Sequence, residues 1–144
     1  MTQQKKLRII IFDDDSNIRS MLELALSAMG HQVLTYENPT ICKVYSKSDS
    51  QCPQEFPCAD MVITDNMMPK MSGVDYLMLM NERGCKIKMT NKALISAGLT
   101  DEQVKYVESL GCRYFRKPFK LSELTAWVKK CAENIPDNGE LAKL

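Results

Sequence analysis

The residues best suited to chemistry stand at the ends of short apolar runs. LRIIIF (Leu7 to Phe12) closes on Asp13, Asp14 and Asp15, ADMVITD closes on Asp65, KALIS closes on Ser96, and CRYFRK closes on Lys117 ahead of Pro118. Carboxylates that converge on one small site repel each other and call for a cation. Oxygen ligands with water to spare suit Mg²⁺, which takes one or two carboxylates plus phosphate oxygens. A lysine and a hydroxyl beside such a cation would stabilise a phosphoryl group in transfer, a reaction governed by positioning and charge neutralisation. A carboxylate can itself be the nucleophile, giving an aspartyl-phosphate. Asp65 is the candidate, because it lies centrally in the order of elements.

For these groups to meet, the elements carrying them must share an edge. The continuous β-branched run LRIIIF reads as a strand covered on both faces. Asp15 or Ser16 can cap a helix whose apolar residues Ile18, Met21, Leu22, Ala25 and Met29 recur at helical spacing, with Gly30 as its stop. HQVLTYE is a short second strand, and a weaker helix is expected over Thr40 to Ser46. The composition then shifts to SKSDSQCPQEFPC, a surface loop over 47–59. After the Asp65 strand, Ser72 to about Glu82 reads as a helix with Val74, Leu77 and Met78 on one face. Thr100 and Gln103 have capping-box spacing ahead of Val104, Val107 and Leu110. Leu121, Leu124, Val128, Cys131 and Ile135 mark a last amphipathic helix, and Pro136 ends the domain. Five strands alternating with about five helices predict an α/β fold, a doubly wound parallel sheet with helices on both faces. Its ligands bind at the carboxyl ends of the strands, where Asp13, Asp14, Asp65, Ser96 and Lys117 are expected together.

With these residues in place, the chain resembles a receiver domain of the two-component response regulators, of the single-domain, chemotaxis-regulator kind. The resemblance runs from about Leu7 to Ile135. It rests on FDDDSNIR, MVITDNMMPKMSG, LISAG and YFRKPF, in the family's order and each at an expected strand end. It implies a flavodoxin-like five-stranded sheet of order 2-1-3-4-5. It also implies Asp65 as phosphoacceptor and Mg²⁺ as cofactor, held by Asp13, Asp14, Asp65 and the backbone carbonyl of Met67. Within the acidic pair, Asp14 matches the direct ligand and Asp13 acts mainly through water. Lys117 matches the lysine that contacts the phosphoryl group, with its bond to Pro118 usually cis. Ser96 and Tyr114 match the switch positions. The donor would be a histidine kinase or phosphotransfer protein, and the output an altered surface around the helix after the fourth strand, the fifth strand and the last helix.

Composition narrows the partners. The chain has 144 residues, with nineteen Lys and Arg against eighteen Asp and Glu for a net charge of +1, which supplies no general attraction to nucleic acid or anionic membrane. No apolar run approaches the ~18–20 residues that span a bilayer, and MTQQKK leads into a strand rather than a signal-peptide core. The expected location is the cytoplasm, with reduced cysteines. The expected organisation is a receiver domain over 1–136 and a short tail over 137–144.

Several features depart from the family or stand outside it. The loop holding Cys52 and Cys58 makes the stretch before Asp65 longer than usual, and such length costs little free energy. CPQEFPC could be a metal or redox clip, but no CxxC pair supports one. Asp15 reads as a helix cap rather than a third metal ligand. Gly98, two residues past Ser96, offers no side chain to guide an attacking water, which implies slow self-dephosphorylation. Met67, Met68, Met71, Met78, Met80 and Met89 read as packing, Trp127 as a packing anchor, His31 as structural or exposed, and Arg113, Arg116 and Lys120 as a solvated face or a partner contact. Two other functions compete. In a haloacid dehalogenase-type phosphatase, Asp13 and Asp15 would form the DxD element, but Asn17 is out of place and Asp65-NMMP goes unexplained. A receiver-fold binding module without phosphorylation would have no use for the full set of site residues.

Overall fold

The computed structural model describes residues 5–42, 51–137 and 139–143. Among them, five strands run β1 (Arg8–Phe12), β2 (Gln32–Tyr36), β3 (Met61–Asp65), β4 (Lys92–Ser96) and β5 (Arg113–Arg116). Four α-helices are α1 (Ser16–Ala28), α2 (Gly73–Glu82), α3 (Asp101–Ser109) and α4 (Leu121–Glu133). The strands are all parallel in the order β2-β1-β3-β4-β5, the expected doubly wound sheet. Of the helix expected over Thr40 to Ser46, the described part is a 3₁₀ turn, Pro39–Ile41, and the remainder lies outside the described residues.

Successive side chains on a strand face opposite ways, and β1 divides its apolar run accordingly. Ile9 and Ile11 join Leu22, Leu26, Leu124 and Val128 under α1 and α4. Ile10 and Phe12 join Val62, Tyr76 and Met80 on the other face, where Leu77, Leu94 and Val107 extend the cover toward α3. Each such side chain contributes about 1.5–3 kcal/mol when fully buried. Trp127 is a packing residue, edge-on to Phe115 with ring centroids 5.9 Å apart. His31 is buried, and its Nδ1 accepts the Leu7 N–H at 3.1 Å.

Local signals set the helix ends. The Asp15 carboxylate accepts from the Asn17 and Ile18 amides at the start of α1. Gly30 supplies the positive φ of 94° that follows that helix. Thr100 and Gln103 form the reciprocal capping box of α3. The chain after α4 folds back on the body: the Ala142 N–H donates to the Pro57 carbonyl at 2.8 Å, and Arg8 Nη1 donates to both Ala142 O and Cys58 O. The tail over 137–144, expected to be a polar end, thus includes the buried residue Ala142.

Candidate functional site

Sheet register explains why the chemical residues meet. Phe12 pairs with Thr64, so Asp13 and Asp65 follow side by side. Asp65 pairs with Ile95 and Ser96 with Arg116, which sets Ser96 and Lys117 at the same edge. The Lys117 N–H donates to Ser96 O at 3.0 Å, tying β5 to β4 where the strands end.

The carboxylates of Asp13, Asp14 and Asp65 each offer an oxygen within 4.8 Å of the others, the one such set of three ligating side chains among the described residues. Cys52 and Cys58 therefore gather no comparable set. Asp13 and Asp65 are buried while Asp14 is exposed, so the cluster opens to solvent on the Asp14 side. Lys117 Nζ donates to Asp65 Oδ1 at 2.9 Å. Burial alone would lower the pKa of this amine, but the hydrogen bond to Asp65 and the charges of Asp65, Asp13 and Asp15 outweigh it and raise the pKa.

Asp13 is the strained member. Its pKa is raised from 3.8 to about 6 by several opposing effects, of which burial is the largest. The Asp15 N–H bonded to Oδ1 at 2.9 Å pulls it down, as does Lys117, while Asp65 and Asp14 push it further up. Its Oδ2 is buried with no hydrogen-bond partner among the described residues. A buried carboxylate oxygen without a donor, beside two further carboxylates, is a position that a hard divalent cation would satisfy. The donor set fits Mg²⁺.

Ser96 is 3% exposed, and its Oγ accepts the Gly98 N–H at 3.3 Å. Tyr114 is half-buried and its hydroxyl donates to the Ser96 carbonyl at 3.0 Å, so the two expected switch residues are already linked. The Lys117–Pro118 bond is cis. The Met67 side chain is 74% exposed and that of Met78 37%. That corrects the reading of both as packing, and Met78 does not share the buried face of Val74 and Leu77; Met80 is buried, and Met68, Met71 and Met89 do pack against the core.

Three supporting residues carried no clear local signal. Asn66 Oδ1 accepts the Val74 N–H at 3.1 Å, and the Asn66 carbonyl accepts from Gly73 N at 3.0 Å, fastening the loop after Asp65 to the start of α2. Gly73 is required by space, because a Cβ there would overlap the Asp65 carbonyl oxygen and Leu94 Cδ1. Arg19 reaches back from α1 to donate to the Asp13 carbonyl at 2.7 Å. The adjacency of Asn66 to Asp65 and of Gly73 to the capping Ser72 was visible in sequence, but the contacts are not sequential.

The response regulator receiver domain family matches residues 9–129, and the chain belongs to it. Among curated relatives, the phosphate regulon transcriptional regulatory protein PhoB of Klebsiella pneumoniae is 26% identical over 128 residues, covering 89% of this chain and 52% of the relative. The DNA-binding transcriptional regulator NtrC of Azospirillum brasilense is 31% identical over 124 residues, covering 85% and 23%. The chain thus spans about half, or less, of the length of these relatives. Among solved structures, the receiver domain of the Francisella response regulator 1452 superposes with a TM-score of 0.71 at 18% identity, covering 90% of this chain and 98% of that one. The chemotaxis response regulator CheY4 of Vibrio cholerae gives 0.66 at 19% identity, with 88% and 99% covered. These structural likenesses establish the fold. Receiver domains are signalling switches that interact with histidine kinases and phosphotransfer partners and generally bind Mg²⁺ at an acidic pocket. Among the described residues, no helix is long and apolar enough to cross a membrane.

Proposed function

We propose that this receiver domain accepts a phosphoryl group on Asp65 from a histidine kinase or phosphotransfer protein. The observation that carries the reading is the buried Asp65 carboxylate, bonded to Lys117 and set within reach of Asp13 and Asp14. Mg²⁺, held by Asp13, Asp14, Asp65 and the Met67 carbonyl, would neutralise charge on the phosphoryl oxygens. Asp65 attacks in line through a carboxylate oxygen, the bond from phosphorus to the donor nitrogen breaks, and the electron pair leaves with the donor. Lys117 keeps its proton throughout and moves its hydrogen bond toward the incoming phosphoryl oxygen. Ser96 supplies a hydroxyl donor once its Oγ turns from the Gly98 amide. Tyr114, linked to the Ser96 carbonyl, couples that movement to the outer face of β5. The phosphoryl group thus biases two states through differential contacts.

The same reading makes residues 1–136 the receiver unit, with 47–59 an added surface loop and 137–144 a tail. It describes a regulator that signals through a changed protein-binding surface. Gly98 is exposed and brings no side chain of its own to guide an attacking water, consistent with slow self-dephosphorylation. Beryllofluoride, a phosphoryl mimic, tests the switch. With Mg²⁺ it should move the amide resonances of Ser96, Tyr114 and α3 in the wild type and not in Asp65→Asn. A spectrum unmoved by beryllofluoride and Mg²⁺ would instead identify a binding module that works without phosphorylation.

A further inference from the structure

The sheet face opposite α1 and α4 encloses a cavity of about 350 Å³, within the size range of small-molecule sites. Its walls are apolar: Ile10 and Phe12 from β1, Tyr76 and Met80 from α2, and Ile87. Sulfur lines much of the remainder, from Cys42, Cys52, Cys58 and Cys85, with Cys42 Sγ 3.9 Å from Met80 Sδ. These thiols do not form a metal cage, since the one set of three ligating groups within common reach among the described residues is the acidic cluster. Tyr76 is fully buried, and burial pushes its ionisation well above the usual tyrosine range, so it contributes a neutral phenol.

Charge enters only at the rim. Lys86 and Lys143 both line the cavity and both are exposed, and no acidic residue lines it among the described residues. Two large apolar side chains accompany them at the opening: Ile41 is 58% exposed and Phe56 36%. An apolar interior with two amines and no acid at its rim is complementary to a molecule with a hydrocarbon or aryl body and one anionic end.

We propose that this cavity binds a small amphiphilic carboxylate of the medium-chain fatty acid class, its chain on Phe12, Tyr76 and Met80 and its carboxylate between Lys86 and Lys143. The site lies apart from the acidic cluster, so it stands or falls independently of phosphoryl transfer.

The test uses the full chain, with decanoate, 1-decanol and decylamine as probes below their aggregation concentrations, followed by amide chemical shifts and isothermal calorimetry. Decanoate should shift the amides of Phe12, Tyr76 and Cys85 and saturate, binding about ten-fold more tightly than decanol and more tightly still than decylamine. Lys86→Glu combined with Lys143→Glu should weaken decanoate about ten-fold and decanol by less than about three-fold. Met80→Trp should abolish binding of all probes by filling the cavity. Should that variant not fold, Ile41→Asp, on an exposed side chain, places an acid at the rim and should weaken decanoate alone. Decylamine binding as well as decanoate would overturn the anionic specificity. The absence of saturable shifts with every probe, or shifts unchanged by Met80→Trp, would overturn the site.

Discussion

Replacing Asp13 by Asn should make the metal-free protein more stable, although it removes a residue assigned to cation binding. The Asp13 carboxyl has its pKa raised from 3.8 to about 6, and its Oδ2 has no hydrogen-bond partner among the described residues. Because the folded state holds this proton more tightly than the unfolded chain, stability falls as pH rises between those two values. Above about pH 6 the cost is complete. At ~1.36 kcal/mol per unit, its ceiling is about 3 kcal/mol. Asn keeps an oxygen for the Asp15 N–H and removes the charge, at the expense of burying an amide. A net gain of about 2 kcal/mol is expected at pH 7.5, or about 4–8 °C in Tm for a chain of this size. Near pH 4.5, where most Asp13 is protonated, the charge cost falls to about 1 kcal/mol and the net gain should nearly vanish. The assay is urea denaturation in EDTA at both pH values. Mg²⁺ should then reverse the order, because a ligand that binds only the folded state stabilises the wild type by about 2.7 kcal/mol at a hundred times its Kd. If Asp13→Asn is destabilising in EDTA at pH 7.5, or its gain does not change with pH, the buried carboxylate is not the liability described.

Other substitutions test different parts of the account. Lys117→Met leaves the buried Asp65 carboxylate without its 2.9 Å partner; since the amine is partly exposed, a loss of about 1–3 kcal/mol is expected by urea denaturation without metal. Gly73→Ala should cost about 1–3 kcal/mol or more and shift the Asp65 amide resonance, because the new methyl collides with the Asp65 carbonyl oxygen and Leu94. His31 has its pKa lowered by burial, partly countered by Asp60. The unfolded chain thus binds the His31 proton more readily, and this contribution to stability is present at neutral pH and lost as pH falls through the ordinary histidine range. His31→Asn should flatten that part of the stability–pH curve, and an unchanged slope between pH 7 and 5.5 would remove His31 as its source.

Much of the fold was legible because local pattern and tertiary position agree. LRIIIF and MVITD carry unbroken apolar stretches at 9–12 and 61–63, as strands covered on both faces do, and the acids that end them lie at the carboxyl edge. Asp15, Thr100 and Gln103 act on backbone within three residues, so spacing alone identified their caps. What escaped depends on contacts between distant segments. The space that demands glycine at 73 is set by Asp65 and Leu94. The grip of Arg8 on Cys58 and Ala142 joins three segments that share no motif. Met67 looks like its neighbouring methionines in sequence, yet it stands in solvent because the loop after Asp65 turns its side chain outward. The sulfur-lined cavity likewise arises only when the loop at 51–58 is laid over α2.

The central claim is that Asp65 carries the phosphoryl group. The direct measurement is to incubate the protein with acetyl phosphate and Mg²⁺, trap the acyl phosphate by borohydride reduction, and locate the modified residue by peptide mass spectrometry. Modification is expected at Asp65, dependent on Mg²⁺ and absent in Asp65→Asn. Modification at Asp13 that survives in Asp65→Asn would contradict it and point to the aspartate chemistry of a phosphatase.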